Sequence, residues 1–97
     1  MVNSISDRKL SAIMFADIVS YSRMMGVNEA EALKLLQNFE DISMPLVEKF
    51  GGTIIKKNGD QIFCEFTSAK NAVDASLEMQ KELNQFNEHY KELKALQ

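Results

Sequence analysis

The segment TIIKKNGDQIFCEF, residues 53 to 66, sets Asn58-Gly59 between two runs rich in Ile, Phe and Thr. Asn-Gly accepts the positive φ angles of a tight turn, and β-branched and aromatic side chains suit a pleated surface. The spacing therefore predicts an antiparallel hairpin with strands at about 53–57 and 60–66, and any fold for this chain must contain an antiparallel sheet.

A further strand is expected at 10–18. There Ile13 and Phe15 alternate with Ala12 and Met14, apolar on both faces, as when helices or a partner cover both sides of a sheet. This strand ends on a lone carboxylate, Asp17. A short helical segment, YSRMMG, follows with Gly26 as its expected stop. Asn28 with Glu31 three residues on resembles a capping box and starts a longer helix, whose face is Leu35, Phe39, Ile42, Leu46 and Phe50. Pro45 removes a backbone donor inside that helix, which predicts a kink or a new helical segment there. Gly51-Gly52 is expected to end it in a left-handed cap. Thr67 or Ser68 caps a last helix with Ala69, Ala72, Val73, Ser76, Met79, Leu83, Phe86, Tyr90 and Leu93 on its apolar face.

The order strand, helices, strand, hairpin, strand, helix predicts an α+β fold with a ferredoxin-like split β-α-β core, the third strand lying between the first two. The end of strand one at Asp17 then lies beside the start of strand three at Asp60. Two adjacent carboxylates repel, so the pair calls for a cation, a shared proton or a Lys or Arg. Mg²⁺ or Mn²⁺ suits hard oxygen donors near phosphate. The turn IVSYS, with the backbone amides of Ile18, Val19, Ser20, Tyr21 and Ser22 and the hydroxyls of Ser20 and Ser22, is a candidate phosphate cradle at the same sheet end. A simple turn residue at Asp60 and a helix cap at Asp17 are equally open readings on topology alone.

Composition narrows the partners. With 97 residues, 45% hydrophobic and 26% charged, the chain has the make-up of one soluble domain, residues 1–97. Net charge is −3 and its eleven Lys and Arg do not cluster, so the electrostatic footprint of a nucleic-acid groove or of an anionic-membrane face is missing. The longest apolar run, Ala12–Ala16, is far below the roughly 18–20 residues of a spanning helix. Cys64 is the only cysteine, which excludes an internal disulfide and makes a reducing, cytoplasmic setting the expectation. Cys64, Met24, Met25 and Met79 are read as core packing, and His89 as solvated.

Three motifs occur together: Phe-x-Asp-Ile-Val-x-Tyr-Ser at 15–22, Gly-Gly-x-Ile-x-Lys at 51–56, and Asn-Gly-Asp ending four residues past that Lys. In order and spacing, RKLSAIMFADIVSYSRMMG, PLVEKFGGTIIKKNGDQIFCEF and SAKNAVDASLEMQKELNQFN resemble the N-terminal half of the class III adenylate and guanylate cyclase catalytic domain, over about residues 8–87. The resemblance implies that Asp17 and Asp60 are the two metal-binding aspartates of a two-ion Mg²⁺ or Mn²⁺ site, with the Ile18 carbonyl as a further ligand. It implies that Gly59 and the turn after Asp17 lie against the nucleotide, and that Lys56 reads the adenine edge where guanylate cyclases carry Glu, which favours ATP. It further implies an antiparallel homodimer in which one chain gives the aspartates and the other the lysine. The later strands of the family domain, with a second base-reading residue and the Asn and Arg that stabilise the transition state, have no counterpart here. A truncated chain or proteolytic remnant, ahead of a naturally short chain, is therefore the expectation, without activity of its own. A diguanylate cyclase shares the topology, but its Gly-Gly-Asp-Glu-Phe hairpin is here Asn58-Gly59-Asp60-Gln61-Ile62. A dimerisation or regulatory module that keeps half of the fold is the non-enzymatic alternative.

Overall fold

The computed structural model describes residues 11–95, with side chains to residue 92, so Leu10 and the side chain of Leu93 lie outside the described residues. The elements are β1 (Ala12–Asp17), α1 (Tyr21–Val27), α2 (Glu29–Lys49), β2 (Gly52–Asn58), β3 (Gln61–Phe66) and α3 (Ala69–Ala95). The sheet order is β1-β3-β2, with β3 antiparallel to both neighbours. β1 and β2 therefore run parallel with β3 between them, the split arrangement of an α+β fold.

The helices cover one face of the sheet. Ile62, Cys64 and Phe66 of β3 are buried against Leu46 and Val47 of α2 and Ala75 and Met79 of α3, flanked by Ala12, Met14, Ala16 and Ile54. The opposite face, where Ile13 is 48% and Phe15 60% exposed, is bare among the described residues. The apolar alternation on both faces of β1 is real, but no helix among the described residues covers the second one. Phe15 and Phe63 stack there with ring centroids 4.7 Å apart.

Local signals explain the element ends, with corrections at Gly26, at Gly52 and at the new helical segment expected from Pro45. Gly26 lies inside α1, which runs to Val27. Asn28 both ends it and starts α2, its side chain accepting the Glu31 N–H at 3.1 Å. Pro45 does not divide α2, which is continuous from Glu29 to Lys49. Pro45 is exposed there, on the side where a carbonyl without its helical partner reaches water. Gly51, at φ +80°, forms the left-handed cap, whereas Gly52 already opens β2. Ser68 rather than Thr67 caps α3, accepting the Asn71 N–H at 3.2 Å. On α3 the inward face is Ala72, Ala75, Met79, Leu83 and Phe86, while Ala69 and Val73 turn outward. Tyr90 donates a hydrogen bond to Glu31 and stacks on Phe86, which ties the far end of α3 to the start of α2.

Gly52 has a packing reason. A Cβ at this position would meet Phe66 Cε2 at 2.5 Å and Val47 Cγ1 at 2.8 Å, contacts that force the core to move. Gly52→Ala is expected to lower stability by about 1–3 kcal/mol, read as a reduced urea midpoint at unchanged slope. Gly26→Ala, with nothing within 4 Å of the added carbon, should instead raise it by about 0.5–1 kcal/mol, because Gly is a poor residue inside a helix.

Candidate functional site

The hairpin turn is one residue later than its Asn-Gly signal implies. Asn58 and Gln61 form the last pair of the ladder, so the turn residues are Gly59 and Asp60. Gly59 has φ +62° and Asp60 is not in the positive-φ region, the pattern of a turn with Gly at its first central position. Asp60 therefore sits in the turn, half-buried, instead of opening β3.

Across the sheet, Asp17 pairs with Gln61 as the last residue of β1. The two aspartates thus share one end of the sheet, Asp60 one residue from the partner of Asp17. Neither carboxylate forms an ion pair with a described residue. Among the described residues no group of three or more His, Cys, Asp or Glu converges, so the donors at this end are two carboxylates and nearby main-chain carbonyls such as that of Ile18. Such a set fits Mg²⁺ or Mn²⁺, which bind through one or two carboxylates and complete their shell with water and substrate phosphate.

The turn after β1 is tight. Ser20 adopts φ 62°, ψ 29°, left-handed for a non-glycine residue, and its hydroxyl makes no cap bond although its carbonyl accepts the Met24 N–H at 3.1 Å. Val19 is 84% exposed, Ser22 exposed, and Ile18 and Tyr21 half-buried. Beneath this turn a cavity of about 340 Å³ is bounded by Asp17, Ile18, Phe39, Leu83, Gln80 and Asn84. Sequence reasoning missed the three α3 amides at this end, Gln80, Asn84 and Asn87; their only signal is polarity next to an apolar helical stripe.

Lys56 is not gathered with the aspartates. It pairs with Phe63, which pairs in turn with Phe15, so it stands on the bare sheet face two strands from β1. Asp17 lies two residues beyond Phe15 on that same face, which puts the Cα atoms of Asp17 and Lys56 about 12 Å apart by strand spacing and rise. Lys56 is exposed and forms no ion pair with a described residue. Cys64, the lone thiol, is buried, donates weakly to the Met14 carbonyl at 3.5 Å, and is pushed up in pKa by that burial. It is a core residue. No helix among the described residues is long and apolar enough to cross a membrane.

No protein-family model matches the chain. It is 36% identical over 90 residues to a protein of Rhizobium meliloti (strain 1021) whose name includes the words adenylate cyclase 3, covering 92% of this chain and 15% of that protein. It is also 36% identical over 72 residues to an adenylate cyclase of Streptomyces coelicolor, covering 73% of this chain and 19% of that one. The chain thus spans less than a fifth of the length of these relatives. Two solved structures of a bacterial light-regulated adenylyl cyclase superpose with TM-score 0.75. One is 27% identical, covering 81% of this chain and 24% of its own, and the other is 24% identical, covering 91% and 28%.

Proposed function

We propose that this chain, related to adenylate cyclases over most of its residues, is the metal-binding part of a class III nucleotidyl cyclase domain that converts ATP to cyclic AMP and pyrophosphate. The observation that carries the reading is the β1–β3 register, which sets Asp17 opposite Gln61 and so next to Asp60 at one sheet end. Asp17 and Asp60, with the Ile18 carbonyl, would hold two Mg²⁺ or Mn²⁺ ions, which supply Lewis-acid charge neutralisation on the triphosphate and activation of the ribose 3′-hydroxyl.

In this reading the chain's own groups bind and orient. The main-chain amides from Ile18 to Ser22, with Gly59 across from them, lie where the phosphates must approach. The Ser20 hydroxyl, unused as a cap, and that of Ser22 are available to phosphate oxygens. Lys56 reads the adenine edge. The bare apolar face of Ile13, Phe15, Ile55 and Phe63 favours a second copy as its cover, and in such a homodimer Lys56 of one protomer serves the aspartates of its partner.

The test is nucleotide binding to the purified chain. Calorimetric binding of ATP is expected only with Mn²⁺ or Mg²⁺ present, and tighter than that of GTP. Lys56→Glu should reduce the ATP-over-GTP ratio by roughly 10- to 100-fold, the worth of one hydrogen bond to a charged group. Metal-independent binding, or a ratio unmoved by Lys56→Glu, would overturn the reading.

A further inference from the structure

β2 contains a bulge. Ile54 pairs with Cys64, but the next paired residue, Lys56, stands opposite Phe63, so Ile55 is an extra residue in the strand. Paired residues of an antiparallel ladder place their side chains on the same face, and a bulge exchanges faces for everything after it. In an unbroken register Ile55 would face Phe63 and Lys56 would face Ile62, which is buried beneath the helices. Lys57 would then be the lysine on the bare face. The bulge reverses this: Lys57 pairs with Ile62 and points to the helix layer, and Lys56 pairs with Phe63 and points outward.

One contact holds that choice. Lys57 Nζ lies 3.1 Å from Glu40 Oε1 of α2, and the Glu40 side chain is only 14% exposed. In the unbroken register Lys57 would be on the opposite face, out of reach, and Glu40 would be left against the sheet without this partner. We infer that the Glu40–Lys57 ion pair locks the bulged register of β2 and thereby selects Lys56, rather than Lys57, as the lysine presented on the bare sheet face. Glu40 and Lys57 are positioning residues, and the consequence for base recognition rests on the adenine-reading role proposed for Lys56.

The register can be read without activity. In the 97-residue chain, cross-strand nuclear Overhauser contacts should show Lys56 opposite Phe63. Glu40→Gln should add a second set of contacts, with Ile55 opposite Phe63, and lower the ATP-over-GTP binding ratio by roughly fivefold, the scale of one part-exposed ion pair. Lys57→Glu, which puts like charges together, should do the same, and the reversed pair Glu40→Lys with Lys57→Glu should restore both readouts. Should either single variant fold too poorly for spectra, the reversed pair decides the matter, since a lock made of this pair requires it to keep Lys56 opposite Phe63. A single, unchanged register in Glu40→Gln, or no rescue by the reversed pair, would overturn the inference. A shifted register with an unchanged nucleotide ratio would uphold the lock and overturn instead the adenine-reading role of Lys56.

Discussion

Asp60→Asn is expected to abolish metal-dependent nucleotide binding by this chain, with a loss of at least about 100-fold, since even residues that merely support metal ligands typically contribute 10- to 100-fold. Asn is the informative replacement. Asp60 is the second residue of a two-residue hairpin turn, and Asn satisfies turn chemistry as well as Asp does. The unfolding free energy from urea titration should therefore stay within about 0.5 kcal/mol of the parent, while binding disappears. Asp17→Asn should behave alike, because Asp17 is an exposed strand end without an ion pair to any described residue. If both variants bind Mn²⁺ and ATP as the parent does, the carboxylates are turn and strand-end residues and no more.

The second large effect concerns turnover. The 97-residue chain alone should form no measurable cyclic AMP, whereas a longer chain including the family's remaining strands should form it and prefer ATP. Two aspartates can bring metal, but charge developing on the pentacoordinate phosphorus needs oriented donors, and loss of one such donor typically costs about 10²- to 10³-fold. The Asn and Arg that class III cyclases use for this have no match after Phe66, where the described residues form a capped helix, Ala69–Ala95. Cyclic AMP formation by the short chain that needs metal and is lost in Asp60→Asn would show that the donors lie within these residues after all.

Much of the architecture was legible because its signals are local. Asn28 and Ser68 announced helix starts by side-chain chemistry, and Gly51 announced a left-handed cap. The strand order followed from the element sequence. What escaped was set between elements. The Asn-Gly pair marks a turn, but which two residues occupy it depends on the register against β1 and β2, and a bulge at Ile55 leaves no mark in a run of Ile and Lys. The alternation of β1 showed that both faces are apolar, not which one the helices would choose. The stripe Met79, Leu83, Phe86 and Tyr90 is largely used within the chain: Met79 is buried in the core and Tyr90 bonds Glu31. For the proposed site, the sequence put Asp17 and Asp60 at one sheet end, as the ladder does, and Lys56 came from the resemblance alone. Only the ladder register placed Lys56 on the face that Asp17 borders.

Joint binding of divalent metal by Asp17 and Asp60 can be followed by titrating Mn²⁺ into the isotope-labelled chain and recording paramagnetic broadening of backbone amides. Asp17, Ile18, Gly59 and Asp60 are expected to broaden first, at substoichiometric Mn²⁺, with reversal by excess Mg²⁺ and loss of the effect in Asp60→Asn. Broadening centred on the exposed acids of α3, such as Glu88 and Glu92, with the β1 and hairpin ends untouched, would contradict joint binding.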